Sequence, residues 1–309
     1  MLSLKARLFL FVCRNRHLLS FKLKRRALFT WDTPIEDFRK EVSRASKLFG
    51  TLPDDIIVVP EQISDLYAEW IEPIKYQRNK TILYFHGGGY VSGTCKAHRM
   101  HVAKVVKGSG VGALLFEYRL APENKFPAAL EDSISAYKFL LEKGIAPSRI
   151  VFMGDSAGGG LCLATLNKIK ELGLPQPAAA IALSPWTDLT NSGETFTTNL
   201  HLELLAPAES WTVFSHYYAG ESDRTDLGMS PLYGDLKGLP PISIYVGSHE
   251  TLLSDSTRYA EKAKEAGVDI KLTIGEELFH CYPICAPIFP EATEAMNEIC
   301  EFIDENINK

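Results

Sequence analysis

Met153-Gly154-Asp155-Ser156-Ala157-Gly158-Gly159 is the stretch on which the reading of this 309-residue chain turns. It follows the apolar run Ile150–Met153 and precedes the amphipathic stretch Gly158–Leu172, which places it between a strand and a helix. Gly154-x-Ser156-x-Gly158 in that setting is a nucleophile elbow. A tight strand-to-helix turn brings two backbones so close that a β-carbon has no room. It also holds the Ser156 hydroxyl at the head of a helix, where the backbone dipole favours negative charge. The rival reading of these residues is a glycine-rich turn with no chemistry.

His86-Gly87-Gly88-Gly89-Tyr90 removes most of that rival. It follows the strand candidate Thr81–Phe85 and lies 70 residues before Ser156. Successive glycines let backbone N–H groups converge on one point, where they stabilise a developing oxyanion. The N–H groups of Gly88, Gly89 and Ala157 are the expected donors. A phosphate cradle is disfavoured, because no Gly-Lys-Ser/Thr follows and no G-x-G-x-x-G opens a helix here.

A serine alcohol needs a base within hydrogen-bond reach. Of eight histidines, His280 lies just after the last apolar strand, C-terminal to the serine as this arrangement requires. His249 competes with it, while His86 is expected to anchor the glycine turn through its ring. His17, His98, His101, His201 and His216 read as surface or packing residues. The base in turn needs a carboxylate to hold its tautomer. Glu250 follows the strand Ile242–Val246 and is favoured over Asp255, which falls within a helix, and over Asp188.

Around these motifs, short apolar runs alternate with longer amphipathic ones, the pattern of a parallel sheet covered by helices. Strands are expected at Thr81–Phe85, Ala113–Glu117, Ile150–Met153, Ala179–Leu183, Ile242–Val246 and Ile270–Ile274. Helices are expected at Ala128–Lys143, Gly158–Leu172, Leu253–Ala266 and Met296–Asn306. Ile56–Pro60 and Ser64–Trp70 read as an edge hairpin. Residues 1–50 and 190–226 break the rhythm and read as two parts of a helical cap over an α/β body at 51–189 and 227–309.

With 46% hydrophobic and 23% charged residues the chain is too apolar for disorder, and its net charge of −5 argues against nucleic acid. Eight basic residues, Lys5, Arg7, Arg14, Arg16, Lys22, Lys24, Arg25 and Arg26, precede the first acid, Asp32. Removing those eight from 33 leaves 25 basic against 38 acidic residues, a balance of −13 for the rest. Such a start suits a membrane surface or an acidic partner, but the favoured expectation is a helix whose apolar face packs on the body. The apolar run Leu8–Cys13 is too short for an export signal or a bilayer span, so the expected location is cytoplasmic, with reduced cysteines. His280, Cys281 and Cys285 lack the spacing of a zinc site, and the sequon Asn79-Lys80-Thr81 reads as chance. Neither metal nor cofactor is expected.

Taken together, the chain resembles the hormone-sensitive-lipase-like family of α/β-hydrolase carboxylesterases, in its microbial branch. Beyond the two glycine motifs, the resemblance runs through Tyr118-Arg119-Leu120-Ala121-Pro122-Glu123, Phe126–Asp132, Ser184-Pro185-Trp186-Thr187-Asp188-Leu189, Ser230-Pro231-Leu232, Gly238-Leu239-Pro240-Pro241, Gly247-x-x-Glu250 and His280. It covers about residues 80–283. It implies an α/β-hydrolase fold and cofactor-free acyl transfer to water on short acyl esters, by a monomer or homodimer. Ser156, Glu250 and His280 would form the triad, with Gly88, Gly89 and Ala157 as the oxyanion hole. Two departures stand out: many members carry Asp where Glu250 stands, and His-Gly-Phe where this chain has His280-Cys281-Tyr282. An amidase or deacetylase with the same triad, and a non-catalytic small-molecule receptor on the same fold, are the competing classes.

Overall fold

The computed structural model describes residues 2–15, 29–45, 50–204 and 208–309, with backbone alone at 45 and 208. The hairpin Ile56–Ile63 (β1) and Leu66–Pro73 (β2) leads into Thr81–Phe85 (β3), Ala113–Phe116 (β4), Ile150–Asp155 (β5), Ala179–Leu183 (β6), Ile242–Gly247 (β7) and Ile270–Gly275 (β8). They form one sheet in the order β1-β2-β4-β3-β5-β6-β7-β8. β1 and β2 are antiparallel to each other, and β2 is antiparallel to β4. From β4 through β3 to β8 every pairing is parallel, so all their carboxyl ends share one edge.

The inner strands are buried at every position and almost wholly apolar, because both faces are covered. Alternate residues serve opposite layers. Ile82, Tyr84, Leu115 and Met153 pack with Val102 and Val106 of Cys95–Ser109 (α3) and with Ile299 and Ile303 of Pro290–Ile307 (α9). Leu83, Phe85, Leu114 and Phe152 face Ala136 and Leu140 of Ala128–Glu142 (α4) and Leu163 and Leu166 of Ala157–Glu171 (α5). Tyr259 and Ala263 of Leu253–Glu265 (α8) complete that layer.

The sheet follows the expected strands closely, with small shifts that have local causes. β2 starts at Leu66, since Ser64 takes a left-handed φ of 52° in the turn. α9 starts at Pro290, six residues before the expected Met296, with the proline in the first turn, where its missing N–H is no loss. α3 was not among the expected helices.

Two segments lie outside the alternation. Leu4–Arg14 (α1) packs its Phe9 ring against Phe279 and Phe289, at centroid distances of 5.6 and 5.5 Å. Ile35–Ala45 (α2) lies elsewhere: its Phe38 joins Phe29 and Phe214 of Ala208–Ala219 (α7) in an aromatic cluster. Between β6 and α7 a single short turn of helix, Thr195–Thr198 (α6), leans on α8. An arginine of α2 fastens this cluster to the body, as Arg39 donates to the Val91 and Ala121 carbonyls and pairs with Glu123. Arg16, His17, Lys22, Lys24, Arg25 and Arg26 of the basic start lie outside the described residues. Among the described residues no helix is long and apolar enough to cross a membrane.

Candidate active site

The carboxyl edge of the parallel strands collects the sequence candidates. Ser156 follows β5 directly and heads α5, with φ 56° and ψ −124°, a conformation that side-chain-bearing residues rarely adopt. The elbow is held by its backbone: the Ser156 N–H donates to the Leu183 carbonyl at 2.8 Å, and its own carbonyl accepts from Gly160 and Trp186. Gly158 has no alternative, because a β-carbon there would lie 2.1 Å from the Phe85 carbonyl oxygen.

That approach brings the elbow against the glycine turn after β3. Asp155 ties the two together: its Oδ1 accepts from the Gly87 N–H at 3.1 Å and from the Tyr84 hydroxyl at 2.9 Å. The turn is also braced from beneath. The His86 ring stacks on Tyr118 at 4.1 Å, with its Nδ1 2.9 Å from the Gly87 carbonyl, and the Tyr118 hydroxyl donates to the His86 carbonyl. Burial, helped by His98, drives the His86 pKa down to about 3, so the ring is a neutral strut. The Gly88 carbonyl points away to accept from Val91, Ser92 and the Ser92 hydroxyl. Among the described residues nothing accepts the N–H of Gly88, Gly89 or Ala157.

Glu250, fully buried, reaches His280 through a 2.7 Å contact between its Oε2 and the imidazole Nδ1. Its other oxygen accepts from the Gly247 N–H at 2.6 Å and from the Ser184 hydroxyl at 2.8 Å. Ser184 also accepts the Cys281 N–H at 2.9 Å, so one hydroxyl spans the carboxylate and the backbone beside the imidazole. Burial acts to lower the His280 pKa, but Cys281 and Glu250 outweigh it and hold the imidazole well above its ordinary value. Burial also raises the pKa of the Cys281 thiol.

The other acids are engaged elsewhere. Asp255 accepts the N–H groups of Thr187 and Asp188 at 2.8 and 2.9 Å and pins the loop after β6. Burial and neighbouring Asp188 push its pKa well above the usual range. Asp188 accepts from Thr190 and Ser192 and pairs with Arg258 at 3.0 Å. Among the described residues the His249 ring makes no hydrogen bond to Glu250, and its backbone N–H donates to the Leu278 carbonyl.

Ser156 follows β5 and His280 lies in the loop after β8, and the end of β6 touches the flank of each. The Leu183 carbonyl that accepts the Ser156 N–H also lies 3.5 Å from the Cys281 sulfur, one residue beyond His280. Aromatic side chains of α7 roof this edge. The Trp211 ring stands edge-on to His280 at 5.6 Å and to Trp186 at 4.9 Å. A β-carbon on Gly89, which has φ 63°, would lie 2.7 Å from the Phe214 ring. The tie from Asp155 and the bridge at Ser184 were absent from the sequence reading, although both residues lie within quoted motifs.

An elbow serine, a glycine turn with open N–H groups and a carboxylate-bound imidazole on one edge of a mostly parallel eight-stranded sheet define an α/β-hydrolase. The chain belongs to the family described as alpha/beta hydrolase fold, which matches residues 82–284. An acetyl-hydrolase of Streptomyces hygroscopicus is 38% identical over 273 residues, covering 87% of this chain and 89% of that protein. An esterase of Acinetobacter venetianus is 34% identical over 234 residues, covering 75% and 77% of the two chains. Among solved structures, an esterase from the bacterial hormone-sensitive lipase family superposes with a TM-score of 0.90 at 36% identity, over 99% of both chains. EstE5 soaked with p-nitrophenyl butyrate gives a TM-score of 0.91 at 35% identity, over 99% of this chain and 100% of its own. Membership in the hormone-sensitive-lipase-like branch follows, and with it a carboxylic ester hydrolase acting on small-molecule esters.

Proposed function

We propose that the chain is a serine carboxylesterase that cleaves short acyl esters through an acyl-enzyme. His280 takes the Ser156 proton, and Ser156 Oγ adds to the ester carbonyl. The oxyanion receives the N–H groups of Gly88, Gly89 and Ala157. The imidazolium, steadied by Glu250, then gives its proton to the leaving alkoxide as the carbon–oxygen bond breaks. Water, deprotonated by His280, adds to the acyl-enzyme, and collapse returns the acid and the free Ser156 hydroxyl. No metal or cofactor enters these steps.

The observation that carries this reading is the 2.7 Å contact of the buried Glu250 with His280 Nδ1, which orients the imidazole with its other nitrogen free to act as base. Residues 29–45 and the 190–226 segment serve as a cap whose Phe214 and Trp211 bound the acyl pocket. The curated acetyl-hydrolase and the structure soaked with p-nitrophenyl butyrate support short acyl groups as the substrate class.

A fluorophosphonate probe followed by peptide mass spectrometry tests the assignment directly. The mass of the adduct is expected on Ser156, and Ser156→Ala is expected to lose both labelling and turnover of p-nitrophenyl butyrate while keeping its circular dichroism. Labelling at another serine, or full turnover by Ser156→Ala, would overturn it.

A further inference from the structure

α1 has two apolar faces, and the body uses one. Ala6 and Leu10 are buried against it, and Phe9 wedges between Phe279 and Phe289. On the opposite face Leu4 is 80% exposed, Leu8 63%, Phe11 65% and Val12 44%. Spacings of three and four residues gather these four into a single stripe. Arg7 and Arg14 border it on one side and Lys5 on the other. Packing on the body, the favoured expectation for this helix, accounts for only half of its apolar residues.

We propose that this outer face docks on an anionic lipid surface, with α1 lying in the plane of the headgroups. Exposed large apolar side chains gathered in one patch mark an interaction site. The chemistry of the border selects the partner. An interfacial helix sinks its apolar stripe among the acyl chains while flanking Arg and Lys side chains reach headgroup phosphates. No acid occurs before Asp32, while the rest of the chain is acidic, so attraction is confined to this end. Lys5 shares a cleft with Glu294, Glu298 and Glu301, and exposed Arg7 on the opposite border of the stripe faces the anions. The 11-residue helix is roughly 16 Å long, half of what a bilayer core requires, so it lies on the surface. A second copy meeting the same stripe would set Arg7 and Arg14 against their own counterparts, which disfavours self-association there. The inner face grips Phe279, the residue before His280, so the docked helix neighbours the loop that carries the base.

Cosedimentation of the full chain with vesicles of phosphatidylcholine–phosphatidylglycerol, and of phosphatidylcholine alone, tests this. Binding is expected on the anionic vesicles and at least about tenfold weaker on the neutral ones, falling with added salt. Arg7→Gln is expected to weaken it about fivefold. The double variant Leu8→Gln/Phe11→Gln is expected to weaken it at least about tenfold. Hydrolysis of dissolved p-nitrophenyl butyrate and the circular dichroism of each variant are expected to stay unchanged, since all three side chains are exposed. Protein left in the supernatant with anionic vesicles, equal binding to both compositions, or undiminished binding by the double variant would overturn the proposal. A concentration-dependent dimer lost in the double variant would assign the stripe to a second copy and overturn it equally. None of these readouts requires the esterase mechanism.

Discussion

Ser184 Oγ donates its proton to Glu250 Oε1 at 2.8 Å and itself accepts the backbone N–H of Cys281 at 2.9 Å. A residue outside both β5 and the loop after β8 thereby holds Glu250 and the segment beside His280 in register. Ser184 does this from a left-handed backbone, φ 45°, at the end of β6. In such a conformation glycine would be the easier residue.

Replacement of Ser184 separates hydroxyl from backbone. Ser184→Ala and Ser184→Gly both leave a buried Glu250 oxygen short of one donor, a cost of about 1–3 kcal/mol that corresponds to roughly 10–100-fold in kcat. Gly relieves the positive φ and is expected to melt at a higher temperature than Ala. A structural role alone would let Gly restore activity along with stability; equal loss of kcat in both, with KM unchanged, marks the hydroxyl as the positioning group.

Glu250→Gln is expected to lower kcat by about 10³–10⁴-fold on p-nitrophenyl butyrate, because the imidazole loses its charged partner. Asp255→Asn is expected to stay within about tenfold of wild type. Burial already favours the neutral acid at that site, and the amide retains an acceptor for Thr187 and Asp188. Asp255→Ala should instead cost about 1–3 kcal/mol of stability. A greater activity loss at 255 than at 250 in parallel steady-state assays would reassign the acid.

The pH profile follows from the raised His280 pKa. The imidazolium persists to higher pH than in a free histidine, and only the neutral ring can accept the serine proton. Activity is therefore expected to fall as pH drops through a midpoint above 6.5, the ordinary histidine value. Linkage gives the opposite sign for stability: the contribution is full below the unfolded-state pKa and is lost as pH rises through the folded one. Glu250→Gln should bring the midpoint of kcat/KM down, whereas Cys281→Ala should leave it above 6.5. A midpoint that stayed put in Glu250→Gln would remove the carboxylate from the groups that hold the imidazolium.

Phe214 packs on Gly89 and on the rings of Phe29 and Phe38. Phe214→Ala is expected to cost about 3 kcal/mol and to open the roof beside the glycine turn. Chemical denaturation reads the first effect. The ratio of kcat/KM for p-nitrophenyl octanoate to that for the butyrate reads the second, and it should rise; an unchanged ratio would remove Phe214 from the acyl pocket.

Much of this molecule was legible in its sequence because buried parallel strands leave a plain signature. Thr81–Phe85 and Ala179–Leu183 are apolar at nearly every position and flanked by turns, and their observed limits match. The elbow and the glycine turn were readable because close backbone contact excludes side chains. Helix α3 was missed because Lys96, His98, Arg99, His101, Lys104 and Lys107 dilute its apolar spacing. Its ends were nevertheless marked: Thr94 caps the first turn and Gly110 closes the last in a left-handed conformation. The site's acid was favoured from position alone, at the end of a strand. Its bond to His280 depends on a loop conformation that no local pattern encodes. Ser184 and Asp155 escaped notice for a related reason, since their partners lie 66 and 68 residues away in sequence.

The Leu183 carbonyl, shared by the Ser156 N–H and the Cys281 thiol, has a consequence for how this enzyme can change. On the proposed mechanism, the placing of Ser156 and of the segment around His280 runs through a strand that supplies neither residue. A substitution that shifts β6 by a fraction of an ångström would detune both partners at once, whatever the substrate. Specificity is therefore free to drift in the aromatic roof, while the middle of the sheet keeps the chemistry in time.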